Sequence, residues 1–424
     1  MGAFITFLFT LLAVGFPIFI ALLMAVMLFM TLNGAPNLGV VIQRMFSGVD
    51  SFPLMAIPFF ILAGNLMSTG GLSKRLIRVA KALVGSLPGG LGMTTVSGSM
   101  FFSSISGSSP ATVVAVGKLM YPAMINAGYT PRSTIGLLMS SGSLGIVIPP
   151  SIFMIVYGAV TGTSIGALFL AGVGAGLVYG ICFLAYCYVH ARVVGLPVQP
   201  RVPLREVWDA IRGAIWGLAI PFIILGGIYG GVFTPTEASG VAVIYAAFVS
   251  MVVYRELSVA ELYRVLTESA TMTAQVMIIL AGAAAFSWFI STSGITRELA
   301  GAMIAISDNP IMVLVLINII VLIAGMLLDP TSIIVILAPI LYSVAMQFGV
   351  DPVHLGAILA VNAAVGMFTP PFGLNLFVAS SVGNVRYGDA VVGALPLILI
   401  ALAALLLVTY IPAISLWLPR AVYM

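Results

Sequence analysis

Long apolar stretches separated by short polar gaps run from residue 3 to residue 418. A helix of about 20 apolar residues crosses the hydrocarbon core of a bilayer. The pattern predicts nine full spans, near 3–31, 51–67, 133–161, 164–189, 213–232, 236–253, 270–292, 353–381 and 390–416. Two further stretches, 86–129 and 308–348, are apolar at both ends and interrupted at their centres by SSISGSSP (103–110) and LLDPTS (327–332). These predict helical hairpins that enter the membrane and leave on the side they entered. Non-helical tips at membrane depth persist only where protein or a water-filled cavity supplies partners for the freed backbone groups.

The pattern also repeats. GYTPRSTIGLLMSSGSLGIVIPPSIF (128–153) and GVDPVHLGAILAVNAAVGMFTPPFGL (349–374) align at a constant offset of 221, from 128 to 349. Gly128 falls on Gly349, Pro131 on Pro352, Gly145 on Gly366, and Pro149-Pro150 on Pro370-Pro371. Each copy stops an apolar helix at a break rich in small polar residues and paired prolines. STGGLSKRL (68–76) and STSGITREL (291–299) extend the match. Each unit then holds a span, a short amphipathic segment, a hairpin, a broken span and a further span. Five full spans separate the two starts, and an odd number inverts the second copy. Paired, interrupted apolar segments in two inverted halves point to a transporter's binding site, although channels carry inverted repeats too.

Composition agrees on the solvent. Hydrophobic residues make up 61% of the chain and charged residues 7%, and mean hydropathy is +1.22; soluble proteins carry about 25% charged residues. The N-terminal stretch lacks a basic leader and reads as a retained first span. Cys182 and Cys187 share one apolar segment and read as small buried hydrophobes. Of the sixteen Lys and Arg, twelve fall in gaps that the span count places on one side: Lys74, Arg75, Arg78, Lys81, Arg132, Arg192, Arg201, Arg205, Arg212, Arg255, Arg264 and Arg386. The other side holds Arg44, Arg297 and Arg420, with Lys118 inside the first hairpin. Such asymmetry marks the crowded side as cytoplasmic, and with it the N-terminus. These loops account for the basic balance without any nucleic-acid partner.

The chemistry is expected where the backbone comes undone. Freed carbonyls, helix C-terminal dipoles and hydroxyls suit a hard cation such as Na⁺. One cation site is expected from Ser103, Ser104 and Ser106 facing Gly145 and Pro149, and a pseudosymmetric one from Gly325 and Asp329 facing Asn362, Gly366 and Thr369. Small-residue packing would explain the glycines and serines but not the paired prolines beside them. The helix N-termini after Pro110 and Pro330, with Ser108, Ser109, Thr112, Thr331 and Ser332, are expected to bind an anionic substrate group; taken singly, each hydroxyl reads as well as a local cap. Asp329 in GMLLDPTS is a costly charge at membrane depth, read as cation ligand or hairpin cap. Glu237 in FTPTEAS reads as first-turn capping, and His190 and His354 as satisfied residues at span ends. No Ser-His-Asp set, HExxH or GxxxxGKS motif supports an enzyme.

GGLSKRLIRVAKALVGSLPGGLG, SSISGSSPATVVAVG, IVIPPS, FTPTEASGVAVIYA and VGMFTPPFGLNLFVAS together resemble, over essentially the whole chain, the large membrane subunit of tripartite ATP-independent periplasmic (TRAP) transporters. The resemblance implies an all-α polytopic protein of the bacterial inner membrane. It implies Na⁺-coupled import of a carboxylate such as sialic acid or a C4-dicarboxylate, delivered by a periplasmic binding protein. It also implies a small four-helix membrane subunit, expected as a separate chain because the sequence starts directly at the first large-subunit span, and an elevator motion. The expected organisation is scaffold spans and a first arm helix in 1–85, with arms near 70–84 and 295–306. The transport domain takes 86–190 and 308–389, further scaffold takes 191–307, and a last span lies in 390–424. A stand-alone ion-coupled carboxylate symporter is the rival reading.

Overall fold

The computed structural model of the chain describes residues 2–32, 38–196, 198–200, 202–294, 301 and 309–423, which hold nineteen α-helices and no strand among them. Many helices start the same way. Thr130, Thr234, Asn309, Asp329 and Asp351 each cap a helix with a side-chain oxygen, and each is followed by proline. The proline sits where its missing N–H is no loss, and a side-chain cap contributes about 0.5–2 kcal/mol in water. These dipeptides punctuate the apolar pattern sharply, because cap and proline both fix where the helix begins.

Eight helices among the described residues are long and apolar enough to cross a membrane. Six correspond to expected spans: Phe52–Thr69, Ile165–Val194, Leu204–Tyr229, Pro235–Val253, Val259–Thr292 and Tyr387–Tyr410. The last expected span divides, since Tyr387–Tyr410 is followed by a turn and a separate helix, Ala413–Tyr423. The first expected span is corrected outright. Helices Gly2–Ala13 and Ile18–Leu32 replace a single crossing. Gly15, at φ +92°, and Pro17 end one helix and start the next. The rings of Phe4 and Phe29 then meet at 5.1 Å, so the pair is antiparallel. The N-terminus thus shares the face of Leu32, not the opposite one.

The hairpins form as expected, from Gly90–Ser106 with Ser109–Asn126 and from Pro310–Leu327 with Pro330–Gln347. The arms of the second are themselves among the eight span-length helices, so length alone does not separate a hairpin from two crossings. The broken helices form as well. Pro131–Gly142 runs on to Ile146, breaks, and resumes as Ile152–Thr161; Pro352–Gly366 breaks and resumes as Leu374–Gly383. Pro149-Pro150 and Pro370-Pro371 are both joined by cis peptide bonds.

The two halves face opposite ways. Tyr129 and Ser133, at the base of the first hairpin and the start of its broken helix, lie beside Cys187 and His190. At the start of the second broken helix, the Tyr157 hydroxyl donates to the Pro352 carbonyl at 2.8 Å, and Gly356 packs against Leu168. Leu168 and Cys187 lie near opposite ends of the helix Ile165–Val194, roughly 29 Å apart at 1.5 Å per residue. The hairpins therefore come in from opposite ends of the molecule. Each half also reaches into the other, with Ser109–Asn126 packing on Leu374–Gly383 and Pro330–Gln347 on Ile152–Thr161.

The first arm is the amphipathic helix Leu72–Val84. It buries Leu72, Leu76, Ile77 and Ala80 and leaves Lys74, Arg78 and Lys81 exposed. Arg75 anchors it through Glu256 at 2.7 Å and through the ring of Tyr254, 3.7 Å from the guanidinium carbon. The pair is half-exposed, which limits the ion pair itself to about 1 kcal/mol. The expected second arm near 295–306 falls outside the described residues except for 301.

Candidate functional site

The hairpin tips do not project alone; each is pressed into the break of its own repeat. A Cβ added to Gly145 would lie 2.6 Å from the Ser108 carbonyl oxygen, so only glycine lets the first tip settle on its broken helix. In the second half Gly325 and Gly366 meet backbone to backbone, where a Cβ on Gly366 would lie 2.5 Å from the Gly325 Cα. The Phe372 amide, inside the second break, donates to the Met326 carbonyl at 3.1 Å. Packing of this kind places main-chain oxygens from tip and break next to each other in both halves.

A cavity of about 540 Å³ opens where the tips converge. Ser106–Pro110 of the first tip and Asp329–Thr331 of the second line it, together with Ile146 and Ile152 from one break and Met367 and Leu374 from the other. Asn65 and Ser68 of Phe52–Thr69 and Gln275 of Val259–Thr292 close the remaining side. The two helix N-termini at Ser109 and Pro330 thus open on one space. Among the described residues the lining contains Asp329 and no Lys, Arg or His.

Of the expected substrate residues, Ser108, Ser109 and Thr331 line this cavity, while Thr112 and Ser332 are not among its lining residues. The Thr112 hydroxyl donates to the Ser108 carbonyl at 2.8 Å and lies 3.2 Å from that of Ser106. Both Asp329 oxygens serve as a cap. One accepts from the Thr331 and Ser332 amides at 3.0 and 3.1 Å, and the other takes the Ser332 hydroxyl. Ser104 donates to the Phe101 carbonyl of its own helix, and Thr369 to the Val365 carbonyl. Pro149 is buried beside the first break.

Two expected cation residues behave differently. Ser103 Oγ and Asn362 Oδ1 are fully buried and have no hydrogen-bond partner among the described residues. An unpaired buried acceptor costs about 1–3 kcal/mol, so each is an oxygen in want of a donor or a cation. Asn362 is held by its other end, since its amide nitrogen donates to the Asn318 carbonyl and side-chain oxygens, both at 2.9 Å. Asn318 in turn reaches Thr409 at 3.1 Å. The first half carries the matching contact in smaller residues, Ser99 to Ser141 at 3.2 Å.

One residue lay outside the expectation. Asn375, buried, exchanges hydrogen bonds with Ser109 at 3.1 and 2.8 Å and donates to the Met139 carbonyl at 2.9 Å. It fastens the first tip to the first broken helix from the second repeat. An asparagine four residues past paired prolines in an apolar run is a costly polar group needing partners, and that was the available signal. The remaining single residues are structural. Glu237 completes a capping box with Thr234. His354 is buried, its ring nitrogens 2.7 Å from Ser415 Oγ and 3.1 Å from the Thr409 carbonyl. Arg132 pairs with Asp389 at 2.7 Å on an exposed surface. Cys187 is buried and Cys182 half-buried.

Comparison with known proteins agrees with the geometry. The family model described as tripartite ATP-independent periplasmic transporter, DctM component, matches residues 5–414. The C4-dicarboxylate TRAP transporter large permease protein DctM of Pseudomonas aeruginosa is 47% identical over 89% of this chain and 88% of its own. The protein of the same description from Rhodobacter capsulatus is 42% identical over 99% of each. In fold alone, the crystal structure of the Alcanivorax borkumensis YdaH transporter, described as having an unusual topology, aligns with a TM-score of 0.60 at 17% identity, covering 90% of this chain and 88% of that one. A multi-pass helical protein with paired hairpins and paired broken helices, matched over nearly its whole length, this chain belongs to the DctM component family of tripartite ATP-independent periplasmic transporters.

Proposed function

We propose that this large permease imports a carboxylate by coupling it to Na⁺, with the substrate held between the two hairpin tips. The observation that carries the reading is the pairing of a tip cavity with no basic residue among those described with two orphaned buried oxygens, one in each half: Ser103 Oγ in the first hairpin and Asn362 Oδ1 ahead of the second break. An anion in that cavity meets two helix N-termini but no fixed cation. Na⁺ bound at the breaks supplies the missing positive charge, so substrate and cation strengthen each other's binding. In this reading the first site is drawn from Ser103, Ser106, Gly145 and the carbonyls near Pro149. The second is drawn from Gly325, Asn362, Gly366 and Thr369, with Asp329 serving as hairpin cap.

The two relatives' C4-dicarboxylate names support a carboxylate cargo. The tripartite description supports a small membrane subunit and a periplasmic binding protein as partners. Hairpins and broken helices (86–190 and 308–389) move as the transport domain against the remaining helices. The basic loops face the cytoplasm of a bacterial inner membrane. Because the first two helices double back, the N-terminus then lies on the periplasmic face with Arg44, reversing the side expected from a single first span.

Uptake of labelled C4-dicarboxylate into proteoliposomes holding the complete membrane complex tests this. Accumulation should require an inward Na⁺ gradient together with the cognate binding protein. Flux indifferent to Na⁺ would remove the coupling, and full uptake without the binding protein would favour a stand-alone symporter.

A further inference from the structure

A second cleft, of about 440 Å³, lies further along helices that also wall the tip cavity. Helix Val259–Thr292 gives Gln275 to the tip cavity and Ser287 and Ser291 to the cleft. Ser287 lies twelve residues past Gln275 on one helix, about 18 Å along its axis. Ile152–Thr161 passes from Ile152 in the cavity to Ala159 in the cleft, and Pro330–Gln347 from Thr331 to Val335. Phe52–Thr69 does likewise, with Leu54 above and Asn65 below. The cleft therefore lies between the tips and the end from which the second hairpin enters.

Arg44, on the helix Gly39–Val49, stands in this cleft and is its one basic lining residue among those described. Its guanidinium carbon is 5.5 Å from the Trp288 ring centroid, and it makes no ion pair among the described residues. Among the described residues no Asp or Glu lines the cleft, and its other polar side chains are Trp288 and serines, among them Ser47 and Ser51. Among the described residues the path thus carries a free positive charge outside and none inside.

Resting on the carboxylate-import reading, we infer that Arg44 forms an outer capture subsite that takes the carboxylate of the substrate before it reaches the tips. The planar guanidinium matches a carboxylate through two parallel hydrogen bonds. Contact with the Trp288 face holds that group in one place without neutralising it. Low-dielectric walls focus its field down the cleft. Arg44 is exposed at the cleft, within reach of a small anion entering from outside.

The test places a cysteine beside the arginine. Ser47→Cys is introduced into the full chain with Cys182 and Cys187 replaced by serine, in membranes containing the partner subunit and no binding protein. Anionic and cationic methanethiosulfonate reagents are then compared. Arg44→Gln should lower the anionic-to-cationic rate ratio about three- to tenfold, and Arg44→Lys should keep most of it. In uptake assays Arg44→Gln should raise KM by a similar factor with kcat little changed. An unchanged labelling ratio overturns the subsite even if uptake falls, because Arg44 would then act in folding or in docking the delivery protein. Charge-selective labelling of Ser47→Cys with Arg44 intact, in a chain that moves no carboxylate, would leave the anion subsite standing and sink the import reading.

Discussion

Asn362 and Ser103 show how a single buried atom separates packing from ligation. Small polar residues at a helix contact are ordinary in membranes, yet such residues normally find partners. Asn362 spends its nitrogen on Asn318 and leaves its oxygen unpaired, and Ser103 leaves its hydroxyl unpaired. Asn362→Ala and Ser103→Ala should each raise the Na⁺ concentration for half-maximal uptake about tenfold, equivalent to losing one ligand worth about 1.4 kcal/mol. Thermal stability without Na⁺ should hold or rise for Ser103→Ala, because an unpaired hydroxyl has been removed. It should fall for Asn362→Ala, which also strips two buried Asn318 oxygens of their donor. Unchanged Na⁺ dependence in both would count against the two cation sites. Gly366→Ala makes a contrasting prediction. Its Cβ would press on the Gly325 backbone, so melting in detergent should show a loss of about 1–3 kcal/mol from overpacking alone.

At the scale of elements, Asp329 links helix initiation to the site. Its carboxylate caps Pro330–Gln347 through two backbone amides and Ser332. Asp329→Ala should cost about 0.5–2 kcal/mol as a lost cap and lower uptake at saturating Na⁺. Asp329→Asn, which still accepts from the amides, should recover stability but not uptake if the charge helps hold Na⁺; circular dichroism melting and uptake on the same samples separate the two. The paired X-Pro starts and small-residue breaks were legible because capping and helix interruption are local matters. The doubling back of residues 2–32 was not. Gly15 and Pro17 interrupt an otherwise span-length apolar run, and only the Phe4–Phe29 contact reveals that the chain returns. The hairpin arms posed the reverse problem, being as long and apolar as true spans.

For the whole molecule, the decisive contact is between Gly64 on Phe52–Thr69 and Ser106 at the first tip. A Cβ on Gly64 would lie 3.4 Å from the Ser106 Cβ, near the separation found in disulfides. In a background lacking Cys182 and Cys187, Gly64→Cys with Ser106→Cys should cross-link under mild oxidation and abolish uptake, with recovery on reduction. Because Ser106 belongs to the site, the reduced double variant serves as its own control. Uptake that persists in fully cross-linked protein would exclude movement of the first hairpin past that helix.

By itself the sequence determined the solvent, the two interrupted motifs and the capped X-Pro starts and paired-proline breaks, because hydropathy, capping and proline act over a few neighbouring positions. Pro149-Pro150 and Pro370-Pro371 marked the breaks without reference to anything distant. Tertiary structure alone decided that both tips open on one cavity, that Asn375 of one repeat fastens the tip of the other, and that Arg44 stands on the path to that cavity. Those facts join positions hundreds of residues apart. They depend on how helices pack across the two halves, and no local pattern encodes that.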